Sequence, residues 1–309
     1  MESPLVDGFG RAVSYLRVSV TDRCNLRCWY CMPNAVRWLP KDDILTYEEL
    51  LRVVSVGAGL GISKVRLTGG EPLVRKGLPA FVGRLVEIEG IREVTLTTNG
   101  ILLTRHAAEL KACGLRRVNV SLDTLDSTRY EGITRGGRLR DAIAGIDAAI
   151  AAGLLPIKLN AVLSRDSDIG DIRNLIRFAR SKNVSLRFIE LMPLLHQEHR
   201  LGWDWKDKFI SADEVKDLLA SENLEGIEFL SPVSRPFCDT CNRLRLTSDG
   251  KLLACLCRGG FVDVRKTVRS GADCGELVRA FRECLNLKPE PWREWGENAQ
   301  LARVSAIGG

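Results

Sequence analysis

The sequence predicts an α/β fold built on parallel strands. From Ser14 to about Leu191, short β-rich runs, polar or glycine-containing turns and amphipathic helical stretches follow one another in a repeating order. The strand candidates are Tyr15–Val20, Lys64–Leu67, Glu93–Thr97, Arg117–Leu122, Pro156–Val162 and Ser185–Glu190. Six strand–helix units of this kind place helices outside parallel strands, either as a barrel or as an open doubly wound sheet.

Helix-terminal signals support the helical stretches. Thr46–Glu49 and Ser211–Glu214 each begin with a hydroxyl residue and carry glutamate three positions later, which is the capping-box pattern of a helix start. Gly114 and Gly153 fall where helix C-caps are expected. Since the second capping box follows the sixth strand, the repeating order extends to about residue 222.

The C-terminal part of the chain has a different pattern. Arg243–Thr247 and Lys251–Cys255 predict a β-hairpin, and a helix is expected over Cys274–Leu285. At 309 residues the chain also exceeds the size at which single cores usually stop growing. We therefore expect a large domain over residues 1–225 and a smaller region over 226–309.

Composition and charge narrow the class of protein. Hydrophobic residues make up 45% of the chain and charged residues 27%, which is ordinary for a soluble globular protein. No apolar run approaches the ~20 residues of a membrane span, and the N-terminus lacks an export signal, so we expect a cytoplasmic protein. The net charge of +6 is spread along the chain, which favours an anionic small molecule over a nucleic acid.

Cysteine usage points to metal binding. Ten cysteines in a long chain without an export signal predict reduced thiols rather than a disulfide framework, and six of them lie in two tight groups. The remaining four are interpreted most simply as small buried residues: Cys113, Cys257, Cys274 and Cys284.

The first group is Cys24, Cys28 and Cys31, in one loop directly after the first strand. Iron–sulfur clusters are held by cysteine thiolates, commonly four for a cubane of four irons. Three protein ligands leave one iron open to a reactant. A structural zinc site is disfavoured here, because such sites fill all four positions and no fourth ligand is near in the sequence.

The second group is Cys238, Cys241 and Cys255, which spans the predicted hairpin. It again supplies three thiols and is interleaved with Arg243 and Arg245. A zinc ribbon completed by Cys257 remains an alternative, since Cys257 fits either kind of site.

The first loop, with an aromatic residue before its last cysteine, resembles that of the radical S-adenosylmethionine (SAM) superfamily. Gly69–Pro72 resembles the glycine-rich segment of that family, and further polar segments end the later predicted strands. The resemblance implies a [4Fe–4S] cluster on Cys24, Cys28 and Cys31 whose open iron is chelated by SAM. The SAM contacts that it implies are Tyr30, Gly70, Glu71, Ser121 and Met192. Active sites of parallel barrels lie at the C-terminal ends of the strands, where these residues fall.

Nearly the whole chain resembles the GTP 3′,8-cyclase family, which begins molybdenum cofactor biosynthesis. The run Phe237–Thr247, then Asp249–Leu252 and Cys255, carries this resemblance. It implies an α/β fold: a partial (βα)6 TIM-like barrel with a smaller C-terminal region that holds a second [4Fe–4S] cluster on Cys238, Cys241 and Cys255. The implied reaction removes hydrogen from ribose C3′ of GTP and closes a bond to guanine C8.

The same resemblance assigns further residues and partners. The substrate-binding residues that it implies are Arg17, Arg66, Thr97, Lys158, Arg187, Arg243 and Arg245. Arg17 and the tail residues Gly308 and Gly309 are expected in catalysis. The expected partners are GTP, the cyclic pyranopterin monophosphate synthase that acts next, and an electron donor such as flavodoxin or ferredoxin. A monomer or homodimer without membrane or nucleic-acid contacts is expected.

Two departures and two rival interpretations remain at this point. His196 and His199 stand where the family commonly has a short glycine-containing turn, and the chain lacks a methionine often found before the tail. One rival is a radical SAM peptide maturase, whose function would not require the arginines of the second group. The other is a zinc protein without enzyme activity, which iron and zinc analysis would distinguish.

Overall fold

The computed structural model describes residues 3–32, 36–193, 205–271 and 273–291. Within these ranges it has a single ten-stranded sheet with helices packed against it, so the predicted α/β class is confirmed. The strands are β1 (Tyr15–Ser19), β2 (Lys64–Thr68), β3 (Glu93–Thr98), β4 (Arg117–Ser121), β5 (Lys158–Leu163), β6 (Ser185–Glu190), β7 (Ile227–Leu230), β8 (Arg243–Leu246), β9 (Lys251–Leu253) and β10 (Phe261–Asp263).

The strands lie in the order β10-β9-β8-β1-β2-β3-β4-β5-β6-β7. All neighbours from β8 to β7 are parallel, whereas β9 and β10 are antiparallel additions. The sheet is therefore open between β7 and β10. Residues from both halves of this order line one cavity, so the sheet curves around it as a partial barrel.

The helices follow the strands as the repeating order predicts. They are α1 (Tyr47–Gly59), α2 (Leu78–Val86), α3 (Leu103–Ala112), α4 (Ser127–Thr134), α5 (Leu139–Ala151), α6 (Ile169–Ser181), α7 (Trp205–Lys208), α8 (Ala212–Leu218), α9 (Arg265–Arg269) and α10 (Cys274–Asn286). Both capping boxes are present: Glu49 N donates to Thr46 Oγ1 at 3.1 Å, and Glu214 N donates to Ser211 Oγ at 3.2 Å. These bonds satisfy backbone donors that a helix start leaves unpaired.

The core lies between the sheet and the helices. Along β1, Leu16 and Val18 are fully buried beneath the helices, while the intervening Arg17 faces the opposite side, as the two-residue period of a strand requires. Helices α1 and α10 approach closely because Gly57 has no side chain; a Cβ there would lie 3.1 Å from Phe281 Cζ. Because the apolar strand residues face the helices, the polar side chains that alternate with them are directed into the concave face.

The C-terminal part extends the barrel sheet. The predicted hairpin is confirmed as β8 and β9, and β8 joins the free edge of β1 in parallel. At the other end, β7 adds to β6, although no strand was predicted there. The sheet thus runs across the expected boundary at residue 225, and that boundary remains a prediction. No helix in the ranges described is both long and apolar enough to cross a membrane.

Candidate active site

A cavity of about 640 Å³ occupies the concave face of the sheet. Every strand from β8 to β7 contributes to its wall. The strand residues on the wall are Tyr15, Arg17, Lys64, Arg66, Thr68, Thr97, Thr98, Arg117, Asn119, Ser121, Lys158, Asn160, Val162, Arg187, Ile189, Glu190, Leu230, Arg243 and Arg245. Both cysteine groups line the same cavity, so residues from the two predicted regions form one site.

The first cysteine loop follows β1 and leaves Cys24, Cys28 and Cys31 half-buried at the cavity wall. Removal from water raises the pKa of Cys24 to about 11 and that of Cys31 to about 12, and raises the pKa of Cys28 well above its ordinary value. Neighbouring thiols add to this for Cys28 and Cys31, because adjacent thiolates repel each other. Thiolates crowded in this way require a bound cation, which the irons of a cluster provide.

The glycine-rich segment at the end of β2 packs directly against the cysteine loop. Gly70 N donates to Thr21 O at 2.9 Å, and Glu71 N donates to Arg23 O at 2.8 Å. A Cβ on Gly70 would lie only 2.4 Å from Arg23 O. Glycine is thus needed at position 70 because two backbone segments touch there. Gly70 lines the cavity, as the sequence predicted for a SAM contact.

The carboxylate of Glu71 joins the ends of β2 and β3. It accepts hydrogen bonds from Leu73 N at 3.0 Å, Thr98 Oγ1 at 2.8 Å and Asn99 N at 2.7 Å. Burial raises the pKa of Glu71 to about 7, although these bonds partly oppose the shift. The side chain therefore also has a structural role that the sequence did not reveal.

Tyr30 is held in place by Asp123 at the end of β4. The Tyr30 hydroxyl donates to Asp123 Oδ2 at 2.7 Å, and Val162 N donates to Asp123 Oδ1 at 2.8 Å. Burial is the main reason that the pKa of Asp123 is raised. The family resemblance identified Tyr30 but gave Asp123 no role, since its partner Val162 comes from another strand.

The second cysteine group brings four thiols to the cavity: Cys238, Cys241, Cys255 and Cys257. Cys257 N donates to Cys255 Sγ at 3.4 Å, and the two thiols also hydrogen-bond each other. That bond lowers the pKa of Cys255 and raises the pKa of Cys257. The prediction that Cys257 is simply a small buried residue was therefore incomplete. The same interpretation was wrong for Cys274, which is exposed at the start of α10.

Zinc and an iron–sulfur cubane place different demands on their thiol ligands. A tetrahedral zinc ion needs its ligands to converge on one point, at about 2.3 Å for sulfur. Among the residues with described positions, no three histidine, cysteine or acidic side chains converge in that way. An iron–sulfur cubane spreads its ligands over separate irons, so it does not require its thiols to converge on one point.

A row of three arginines crosses the sheet in the cavity that both cysteine groups line. Arg17 on β1 is the register partner of Arg245 on β8 and of Arg66 on β2. Burial and the neighbouring cations lower the pKa of Arg245 to about 10 and that of Arg17 well below its ordinary value. Nε of Arg66 is buried and has no hydrogen-bond partner in the described part of the chain. This crowding of positive charge favours binding of a polyanion.

Two predicted cations share a carboxylate that the sequence did not reveal. Arg187 on β6 is the register partner of Glu228 on β7, and Arg187 Nε donates to Glu228 Oε2 at 2.9 Å. Lys158 Nζ forms an ion pair with the other oxygen of Glu228. Since β7 was not predicted, no local signal marked Glu228. A phosphate group that binds Lys158 or Arg187 competes with this carboxylate.

Other predicted residues also reach the cavity. Thr97, Ser121 and Met192 line it, and Thr97 Oγ1 accepts a hydrogen bond from Arg66 Nη1 at 3.3 Å. Asn119 was not predicted, and Asn160 was predicted only as part of a polar segment at the end of a strand; the Oδ1 atom of each is buried and accepts no hydrogen bond from any described residue. Such acceptors suit a ligand with hydroxyl or amino groups. Gly308, Gly309, His196 and His199 lie outside the described residues.

Sequence comparison identifies the class of protein. The Radical SAM superfamily profile matches residues 18–179, and the profile named Molybdenum Cofactor Synthesis C matches residues 219–294. The fold and the cysteine loop thus belong to a radical SAM protein. SAM and an iron–sulfur cluster are the cofactors of this class, and Cys24, Cys28 and Cys31 are the donors that fit the cluster.

Curated relatives then define the particular family. Proteins named GTP 3′,8-cyclase from Thermodesulfovibrio yellowstonii, Peptoclostridium acidaminophilum and Caulobacter vibrioides are 42%, 45% and 44% identical to this chain. The matches cover 98%, 90% and 96% of this chain and 99%, 90% and 89% of the relatives. The chain belongs to the GTP 3′,8-cyclase family.

Solved structures support the fold. Streptococcus suis SuiB bound to SAM has a TM-score of 0.60 at 17% identity, over 88% of this chain and 68% of SuiB. The protein anSMEcpe with bound SAM has a TM-score of 0.57 at 16% identity, over 78% of this chain and 74% of that protein. At these identities the likeness concerns the fold alone, and it agrees with the partial radical SAM barrel that the sequence predicted.

Proposed function

We propose that this chain converts GTP into 3′,8-cyclo-7,8-dihydro-GTP, the first step of molybdenum cofactor biosynthesis. The observation that carries this proposal is the arginine row Arg245–Arg17–Arg66, which lines the same cavity as the two cysteine groups. A nucleoside triphosphate carries negative charge that is complementary to these side chains. The names of the curated relatives support GTP as that nucleotide.

SAM would bind beside Cys24, Cys28 and Cys31, which hold the first [4Fe–4S] cluster in this proposal. When bound together, the cluster and SAM supply a 5′-deoxyadenosyl radical. The chain's own part is to hold the cofactor: Tyr30, fixed by Asp123, forms one wall. The other contacts would be Gly70, Glu71, Ser121 and Met192.

The second [4Fe–4S] cluster would be held by Cys238, Cys241 and Cys255, with its open iron turned toward the guanine of GTP. Three thiols from two neighbouring segments on the cavity wall support this assignment. Cys257 contacts Cys255 and lines the same wall, so it would lie beside this cluster while the fourth iron stays open to the substrate.

The triphosphate would lie on the arginine row, with Arg243, Lys158 and Arg187 around it. Arginine pairs two phosphate oxygens at once. The row on β8, β1 and β2 would therefore fix the orientation of the nucleotide and also balance its negative charge. Holding the ribose at a set distance from the cofactor replaces a bimolecular encounter by a positioned one. The protein therefore contributes orientation and exclusion of water, while the cofactor supplies the difficult chemistry.

Ring closure removes one hydrogen from ribose C3′ and forms the C3′–C8 bond, and one electron and one proton then complete the product. Arg17, at the centre of the row, and the tail residues Gly308 and Gly309 are proposed for this step. The electron donor would be a flavodoxin or ferredoxin, and a cyclic pyranopterin monophosphate synthase would take the product. Cytoplasmic location, a monomer or homodimer, and the division at residue 225 belong to the same proposal.

An anaerobic turnover assay tests the function. The reconstituted protein is incubated with SAM, a chemical reductant and either GTP or ATP, and 5′-deoxyadenosine and cyclised nucleotide are quantified. Formation of both products with GTP and not with ATP is expected. Absence of cyclised nucleotide from a protein with full iron content would refute the proposal.

A further inference from the structure

Lys288 is a buried lysine beside the second cysteine group. It follows the end of α10, and only 5% of the residue is exposed. Its Nζ atom donates to Cys241 Sγ at 3.5 Å, to Arg243 O at 3.1 Å and to Ala254 O at 3.4 Å. Lysine is almost never so buried without a specific partner. Here the partners are a thiol of the proposed cluster and the backbone on both sides of it.

We infer that Lys288 is a positioning residue that neutralises charge at the second cluster and raises its reduction potential. This inference rests on the proposed second cluster. Hydrogen bonds to ligand sulfurs and the net charge around a cluster set its potential. Three thiolates carry more negative charge than an oxidised [4Fe–4S] core carries positive charge, and reduction adds one more negative charge. An ammonium group against Cys241 favours the reduced state.

A neighbouring ion pair keeps Lys288 in position. Arg11 Nη2 donates to Pro289 O at 2.6 Å, and Arg11 Nη1 donates to Cys238 O at 3.0 Å. Arg11 is itself fixed by Asp7, through a contact of 2.6 Å between Nε and Oδ2. The residue after Lys288 and the loop of the second cysteine group are thus tied to the same guanidinium. Lys288 has little freedom to move away from Cys241.

The contacts also separate Lys288 from the substrate site. Lys288 is absent from the cavity wall, whereas Arg243 and Arg245 line it. Its three partners are one ligand sulfur and two backbone carbonyls. Its effect on the reaction is therefore expected through the cluster and not through direct contact with the nucleotide.

Redox titration of the second cluster tests the inference. Full-length protein in which Cys24, Cys28 and Cys31 are replaced by alanine isolates that cluster, and electron paramagnetic resonance follows its reduction. Lys288→Met removes the charge and keeps the length of the side chain, Lys288→Arg keeps the charge, and Lys266→Met is the control on the exposed face of α9. Iron per chain is measured for every variant.

We expect Lys288→Met to shift the midpoint to more negative potential or to lose the second-cluster iron. Lys288→Arg and Lys266→Met should remain close to the parent. An unshifted midpoint with full iron in Lys288→Met would overturn the inference, and so would equal changes in Lys288→Met and Lys288→Arg, which would indicate packing alone. A different result would refute the proposed second cluster itself: the unsubstituted chain would bind about four irons instead of about eight.

Discussion

Arg17 and Arg245 are register partners on the adjacent parallel strands β1 and β8, although they come from opposite ends of the chain. Burial lowers the pKa of both side chains; repulsion from Arg245 adds to the shift of Arg17, and repulsion from Arg243 adds to the shift of Arg245. Two like charges are thus held on adjacent strands. In the proposed function the triphosphate of GTP would lie against both, so β8 would complete a binding site on the barrel.

Replacement of Arg245 by glutamine should weaken GTP binding selectively. A hydrogen bond to a charged group contributes about 1.5–3 kcal/mol, so the dissociation constant for GTP should rise roughly 10- to 100-fold. The affinity for SAM should change little, because the proposed SAM contacts are other residues of the cavity wall. Anaerobic calorimetric titration with each ligand measures both values. Arg140→Gln is the control, since Arg140 is exposed on α5; equal effects of the two substitutions on GTP would contradict the assignment.

Removal of one thiol from each cysteine group should impair different steps of the reaction. Cys28→Ala should abolish SAM cleavage, because it removes a ligand of the first cluster. Cys241→Ala should keep the first cluster, and about four irons per chain, but stop GTP turnover. Iron analysis and 5′-deoxyadenosine formation distinguish the variants. Cys274→Ala, at an exposed thiol, should retain about eight irons. Normal GTP cyclisation by Cys241→Ala would show that the assignment of the second cluster is wrong.

Glu71 should make the stability of the apoprotein depend on pH. Its pKa is about 7 in the folded chain against an ordinary 4.5, so the folded state retains a proton that the unfolded state has released. The resulting stabilisation is complete below pH 4.5 and is lost as the pH rises through 7, roughly 3 kcal/mol in all.

Urea unfolding of the wild type and of Glu71→Gln between pH 5 and pH 8 measures this effect. The free energy of unfolding of the wild type should fall relative to that of Glu71→Gln as the pH rises. Glu225→Gln, at an exposed position, serves as the control and should follow the wild type. Parallel curves for the wild type and Glu71→Gln would show that this carboxyl does not titrate in that range.

Gly70→Ala should impair assembly of the first cluster. The added Cβ would lie 2.4 Å from Arg23 O and 2.5 Å from Asp22 O, so the cysteine loop must shift. We expect iron per chain to fall by about four and SAM cleavage to be lost. Gly59→Ala meets nothing within 4 Å at the end of α1 and should leave iron content unchanged. Full iron content in Gly70→Ala would show that the loop accommodates a side chain there.

The local pattern of apolar, polar and capping residues in the sequence predicted the strands and helices of the fold well. The six predicted strands match β1 to β6 within two residues at each end, and the capping boxes start α1 and α8. These features depend on residues close in sequence. Pairing of β8 with β1 depends on tertiary contacts, so the sequence could not reveal that the hairpin continues the barrel sheet.

The candidate site was predictable where it depends on motifs, and less so where it depends on register. The cysteine groups were visible from their spacing. Glu228 and Lys288 were not, because each acts on a residue from a distant segment: Glu228 on Lys158 and Arg187, and Lys288 on Cys241. Charged side chains of this kind resemble ordinary surface residues until the packing is known.

Transfer of deuterium from GTP labelled at ribose C3′ tests the central claim most directly, because it requires the nucleotide and SAM to meet in one cavity. Anaerobic turnover with [3′-²H]GTP, followed by mass spectrometry of the 5′-deoxyadenosine, gives the result. The proposed site predicts one deuterium in 5′-deoxyadenosine and a cyclised nucleotide that has lost it. Unlabelled 5′-deoxyadenosine, formed at the same rate without GTP, would contradict the account.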